Sequence, residues 1–142
     1  MTVRDDRNQI VVATKGVILH KGKILVVQRA PEDVGGGTWE CPGGKLDFGE
    51  DIEEGLIREI SEEVGLNVSV EKLLFANSFK TNPARQIVML SYLCSTDNDN
   101  VILSNEHMDY KWATKNELLS ILPSTIIRDF KKYNIFSLQE LI

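Results

Sequence analysis

Cysteine is scarce in this chain: Cys41 and Cys94 are the only two among 142 residues, far apart and outside any C-x-x-C pair. Both are read as reduced thiols packed in strands, and neither has a neighbouring histidine or basic cluster that would make it a nucleophile. No apolar run approaches the roughly 20 residues that a membrane helix needs. The start of the chain, MTVRDDRNQI, is charged and lacks the apolar stretch of a secretion signal, so the expected compartment is the cytoplasm. A block of lysines and arginines is also missing, and the net charge is −5 at pH 7. Nucleic-acid polymers and anionic membranes are therefore disfavoured as partners. A small anionic substrate is not, because a bound cation reverses the local sign. There is no repeat, low-complexity tract or dividing linker, so residues 1–142 are read as a single domain.

What is present is ordinary for a globular protein, 42% hydrophobic and 26% charged. Ile10 to Leu19 reads as a strand, His20 to Lys23 as a turn that leaves His20 exposed, and Ile24 to Gln28 as a second strand closing a hairpin. Pro31 to Gly37 is a loop with three successive glycines, expected to be mobile and close to the site. Thr38 to Cys41 is short and extended, with Pro42 turning Cys41 away from helical geometry. Gly43 and Gly44 supply a corner. Asp51 to Val64 is the clearest helix, with Ile52, Leu56, Ile60 and Val64 as its buried stripe and Gly65 as its left-handed stop. Asn67 to Ser78 and Gln86 to Ser95 read as strands about the turn Thr81-Asn82-Pro83. A polar loop covers Thr96 to Asn100, and a short strand Asp109 to Ala113. Helical patterns follow at Lys115 to Ile121 and Thr125 to Tyr133. Strands interleaved with helices indicate a mixed α/β or α+β domain.

The helix carries the chemistry. Glu59, Glu62 and Glu63 stand at i, i+3 and i+4 and are neighbours on its surface. Three like charges so placed repel one another unless a cation neutralises them, and oxygen-only donors suit hard ions such as Mg²⁺ or Mn²⁺. Clustered glutamates are commonly a solvated face, the reading given to Glu53 and Glu54. The glycine corner, Glu50 and Arg58 at fixed offsets favour a site. Arg58 is placed to bridge Glu50 and hold the loop on the helix, a structural role that pre-organises the rest.

Gly44, Glu50, Arg58, Glu59, Ile60, Glu62, Glu63, Gly65 and Leu66 resemble, position for position, the Nudix box G-x5-E-x7-R-E-U-x-E-E-x-G-U, where U is a bulky aliphatic. Trp39 to Gly44 is similar to the W-x-x-P-G-G approach of that family, and Glu106 to Trp112 resembles the stretch before its last helices. Gly55 departs from the family's usual alanine, at a helix cost of about 1 kcal/mol. The resemblance, to MutT-like members in particular, implies an α/β/α sandwich around a central mixed β-sheet. It implies hydrolysis of a nucleoside diphosphate linked to a group X. It also implies metal ligation by Glu59, Glu62 and Glu63 with the Gly44 carbonyl as a further ligand, Glu62 either ligating or ordering water. Small members of the family often dimerise, so a homodimer is one expected assembly.

For the attacking water's proton, Glu62, Glu63 and Glu106 are the candidate acceptors. Glu106 sits in the polar stretch Ser104 to His107, where an ordinary loop acid is equally in keeping. His107 is left out of the set as a solvated loop histidine. Arg29 and Lys45 are candidate phosphate contacts or simple surface charges. Trp39 is placed either to stack on a base or, slightly favoured, to pack against the sheet. The expected cofactor is Mg²⁺, with Mn²⁺ as the alternative. The expected substrate is a (deoxy)nucleoside triphosphate, giving a monophosphate and pyrophosphate. Nucleotide sugars, other nucleoside diphosphate derivatives, and a non-catalytic nucleotide-binding protein are the competing expectations.

Overall fold

The computed structural model describes residues 7–138, 140 and 141; most of the charged N-terminal segment weighed above lies outside these residues. Seven strands form one sheet: β1 (Gln9–His20), β2 (Lys23–Arg29), β3 (Trp39–Glu40), β4 (Gly43–Lys45), β5 (Val68–Asn82), β6 (Arg85–Thr96) and β7 (His107–Ala113). Helices α1 (Ile52–Val64), α2 (Lys115–Ile121) and α3 (Ser124–Lys132) pack on it, followed by a 3₁₀ turn at Ile135–Ser137.

The sheet is mixed and its main order is β3-β2-β1-β6-β5. β1 and β6 run parallel from Gln9 opposite Arg85 to Leu19 opposite Ser95, and every other pairing is antiparallel. β1 and β2 meet only at the hairpin end, where Leu19 faces Ile24 and His20 faces Lys23. From there they part. β2 continues along β7 and β3, while β1 takes β4 as its neighbour, with Lys15 opposite Gly43 and Thr14 opposite Gly44. A sheet that splits this way leaves an opening between its two halves.

The period-2 alternation of strands sorts the core into two layers. Val17, Ile24 and Val26 face α2 and α3, where they meet Leu118, Phe130 and Ile135. Ile18, Leu25, Val27 and Cys94 face the other way, against Leu56, Ile60 and Val64 of α1. The result is the three-layered α/β/α arrangement. Helix α1 keeps its expected stripe, though Ile52 at its first turn is only half-buried. Asp51 caps it by accepting from the Glu53 and Glu54 amides at 3.2 Å, and Gly65 ends it at φ 71°. At Gly16 of β1 a Cβ would meet Ile60 Cδ1 at 2.7 Å, so glycine there lets α1 sit close on the sheet beside the Cys94 sulfur.

Several expectations need correction. The Gly43–Gly44 corner is itself a strand, because the edge of β1 that faces away from β6 is left open once β2 diverges. β5 runs on to Asn82, and the reversal falls at Pro83 and Ala84. β7 starts at His107, so that histidine is a strand residue only 8% exposed and not a solvated one. His20 is half-buried: its Nδ1 lies 2.9 Å from the Thr96 carbonyl and its ring meets Trp112. The glycine loop keeps its expected place beside the site: Gly35 lines the cleft, and backbone bonds run from Gly36 to Asp33, Gly37 to Arg29 and Thr38 to Gly35.

Candidate active site

Two glycines bring α1 to the split in the sheet. A Cβ at Gly43, which has φ 153°, would strike the Thr14 carbonyl, and one at Gly44 would lie 2.5 Å from the Glu59 carboxyl. Only bare backbone lets β4 pair with β1 and still receive the glutamates. The Gly43 N–H donates to Glu63 Oε2 at 3.0 Å, so helix and strand are locked to each other by one of the candidate ligands. The Gly44 carbonyl accepts from the Thr14 hydroxyl at 3.4 Å.

The three helix glutamates do not share one environment. Glu59 and Glu63 line a cleft of about 1010 Å³. Glu63 is 6% exposed, and burial pushes its carboxyl up to about 7 despite the Gly43 amide and the charge of Lys15. Glu59 is also raised, by burial first and by Glu62 in addition, with Arg58 opposing. The Glu62 side chain is 61% exposed and turned to Arg58, 3.2 Å away. One helical turn explains the division: Glu59 and Glu63 stack at i, i+4 over the cleft, and Glu62 stacks likewise on Arg58.

Arg58 organises the loop in front of the helix. Its Nε and Nη2 reach the two oxygens of Glu50 at 2.6 and 3.0 Å, the bridge expected from their spacing. The same guanidinium lies 3.3 Å from Asp47 and from Glu59. Glu50 also accepts from the Asp47 amide at 3.0 Å, and its carboxyl is held down at about 2, chiefly by Arg58. Gly55 fits here: a Cβ would come within 2.8 Å of both Glu50 Oε1 and Leu46 Cδ1.

Around Lys15, which pairs with Gly43 across the β1–β4 ladder, lies a cluster the sequence did not single out. Glu40 receives Lys15 Nζ and Arg29 Nη1 at 3.0 Å each, and His107 Nε2 stands 3.8 Å away. Burial opposes its charge, but His107, Lys15 and Arg29 together hold the Glu40 carboxyl far below the usual carboxylate range. The available signal was Lys15 itself, a charge inside a Val/Ile/Thr-rich strand between the buried Thr14 and Gly16. Lys45 and Arg29 both line the cleft, as does Glu106. The loop bearing Glu106 is tied to α1, where Ile102 and Ser104 donate to the Val64 and Glu63 carbonyls at 2.9 Å. Trp39 packs its ring on the α2–α3 side of the core.

Among the described residues, no three His, Cys, Asp or Glu side chains already form a metal cage. A hard cation such as Mg²⁺ does not require one, since it keeps several waters and takes phosphate oxygens as ligands. The donor chemistry fits: Glu59 and Glu63 are hard oxygen donors, stacked one turn apart on α1, that line the same cleft.

The family model described as NUDIX domain matches residues 9–133. A MutT-like protein of Streptomyces ambofaciens is 34% identical over 108 residues, 75% of this chain and 66% of that protein, so the chain spans just under two thirds of this relative. An 8-oxo-dGTP diphosphatase of Proteus vulgaris is 37% identical over 91 residues, 62% of this chain and 78% of its own. An ADP-ribose pyrophosphatase of Methanocaldococcus jannaschii is 27% identical over 125 residues, 86% of this chain and 73% of its own. Among solved structures, the MutT protein from Methanosarcina mazei Go1 superposes with a TM-score of 0.80 at 24% identity, covering 92% of this chain and 96% of that one. The chain belongs to the NUDIX family. Two of these relatives bear the names of a diphosphatase and a pyrophosphatase, and Nudix hydrolases generally use divalent metals.

Proposed function

We propose that the protein is a Mg²⁺-dependent hydrolase of (deoxy)nucleoside triphosphates, releasing a monophosphate and pyrophosphate. The observation that carries this reading is the pairing of Glu59 and Glu63 with the Gly43–Gly44 backbone on a cleft that Lys15 and Arg29 also line. Acidic ligands and basic side chains lining one cleft suit a substrate that is itself a chain of phosphates. The name of the Proteus vulgaris relative supports a triphosphate.

Glu59, Glu63 and the Gly44 carbonyl would hold the metal, and Glu62 would order water around it while steadying Arg58. A bound divalent ion would supply neutralisation of phosphate oxygens and acidification of a water. Glu106, exposed on the cleft, accepts the proton from the attacking water. Arg29 and Lys45 bind the phosphates and orient them, and Glu40 fixes the direction of the Arg29 and Lys15 side chains. Trp39 supports this wall from behind, packed in the core. Glu50 and Arg58 keep the loop and helix in register. The reading includes a cytoplasmic setting, one domain across residues 1–142 and assembly as a homodimer, which light scattering would test.

A second reading has its own support: the ADP-ribose pyrophosphatase relative aligns with more of this chain than the triphosphate-directed one. The deciding experiment is a turnover screen with Mg²⁺ and with Mn²⁺ over nucleoside triphosphates, oxidised and not, ADP-ribose, nucleotide sugars and dinucleoside polyphosphates. Pyrophosphate release from triphosphates, absent in Glu63→Gln, supports the proposal. Turnover confined to diphosphate-linked compounds transfers the same site to the second reading.

A further inference from the structure

The strands that floor the cleft have a second face. On β6, Ile87 and Met89 line the cleft, while Tyr92 and Cys94 sit on the α1 side. The alternation of a strand puts Leu90, Val88 and Gln86 on the α1 side too. Val12 and Ile10 of β1 and Leu73 and Lys80 of β5 share that side as register partners of Val88, Gln86 and Tyr92.

Helix α1 covers only one half of this face. Ile60 rests on Gly16, and Leu56 joins Ile18 and Cys94 in one core layer. The other half is apolar and bare. Ile10 is 70% exposed and Leu73 50%, and Ile57 on the adjoining flank of α1 is exposed as well. Among the described residues, Val12, Val88 and Leu90 are packed into neither core layer. A contiguous apolar face of this kind marks a contact with another molecule.

Charge marks the two ends of the face. Lys80 is exposed at one end, opposite Gln86. Asp51 and Glu53 are exposed at the other, where they reach Tyr92: burial and then these two acids raise its hydroxyl above the ordinary value. Gln86 and Tyr92 are about 20 Å apart along β6. A face that is apolar in the middle, basic at one end and acidic at the other is complementary to itself turned end for end.

We infer that this face is the contact between two copies of the chain, related by a two-fold axis that crosses the strands near Val88. This rests on the homodimer reading proposed above and names its surface. The bare halves then lie face to face, and the strand ends of each copy enter the corner between Ile57 and Leu73 of the other. Lys80 of each copy is carried to the Glu53 end of its partner. Three strands wide and about 20 Å long, the face has a footprint of roughly 300 Å². With side-chain relief and the corner it reaches the low end of specific interfaces, about 600 Å² per partner, so the dimer is a weak one.

The test is sedimentation velocity from about 1 to about 500 µM, with a dissociation constant expected near 50 µM for the wild type. The variants are Ile10→Asp, Leu73→Asp, Lys80→Glu, Glu53→Lys and the double Lys80→Glu with Glu53→Lys. All four positions are exposed, and thermal melts check that each variant folds. Each single change should weaken association at least about tenfold, and the double should return to within about threefold of the wild type. A wild type that stays monomeric throughout overturns both the homodimer reading and this inference, and leaves the face to a different protein. A dimer that ignores all the single changes keeps the homodimer reading and overturns the surface. Single charge reversals that weaken the dimer without rescue in the double overturn the end-for-end placement. Should Ile10→Asp or Leu73→Asp not fold, the charge exchange decides.

Discussion

Arg58 holds Glu50 by two nitrogens, Nε at 2.6 Å and Nη2 at 3.0 Å, across the turn that leads into α1. A planar fork meeting a carboxylate in this way fixes orientation as well as distance, which a lysine ammonium cannot do. Arg58→Lys is therefore expected to lower kcat/KM by about 10- to 100-fold through misplacement of the loop and of Glu59. Far-UV circular dichroism should remain that of the wild type. Unchanged kinetics would show that the fork does not position the site.

Gly55 gives a prediction opposite to helix propensity. Alanine in a helix interior ordinarily gains about 1 kcal/mol over glycine. Here the added methyl would press on Glu50 Oε1 and Leu46 Cδ1, and Glu50 cannot yield without loosening Arg58. Gly55→Ala should leave the melting temperature unchanged or lower and weaken Mg²⁺ binding. A gain of several degrees at full activity would contradict the packing described.

Glu63 makes the metal-free protein pH-sensitive. Its folded value of about 7 lies above the ordinary 4.5, so the folded state binds more protons than the unfolded state between those values. Stability must then fall as pH rises through that window, by up to about 3 kcal/mol. Chelated wild type should melt lower at pH 8 than at pH 5, by a margin that Glu63→Gln removes. Mg²⁺ should restore the wild type at pH 8 and do less for the variant. Calorimetry with and without chelator measures all of these, and a chelated melting point that does not fall from pH 5 to pH 8 would refute the assignment.

Glu40→Gln would leave Lys15 and Arg29 in the cleft without their shared carboxylate. Breaking a buried charge cluster from one side costs about 3 kcal/mol. The expected result is a clear fall in the urea midpoint with the m-value retained. Replacing Lys15 by methionine in the same background should recover part of the loss by removing one unpaired cation.

How far the chain's own letters reached depends on distance along it. The α1 segment was legible because cap, stripe, stop and the Arg58–Glu50 bridge all act over a few residues. The Glu40 cluster was not, because Lys15, Arg29 and His107 meet only once β1 leaves β2 for β4 and β2 takes β7. Such strand exchange is long-range and has no local signature. The same cause moved His107 from an exposed loop into a buried strand. The division of labour between Glu63 and Glu62 depended on side-chain environment, which spacing alone does not give. Gly55 has no local reason within the helix; its reason is the closeness of Glu50 and Leu46, which come from the preceding loop.

Cys94 lies wholly buried where α1 rests on β1 and β6, and burial pushes its thiol up to about 12. A thiol that is both covered and protonated does not react with alkylating reagents, so its labelling rate counts the moments when the helix lifts from the sheet. Nature has placed a clock under the very element that carries the acidic ligands. Anything that fastens Glu63 to β4 more firmly will make that clock run slower, and the fastening can be timed without knowing the substrate.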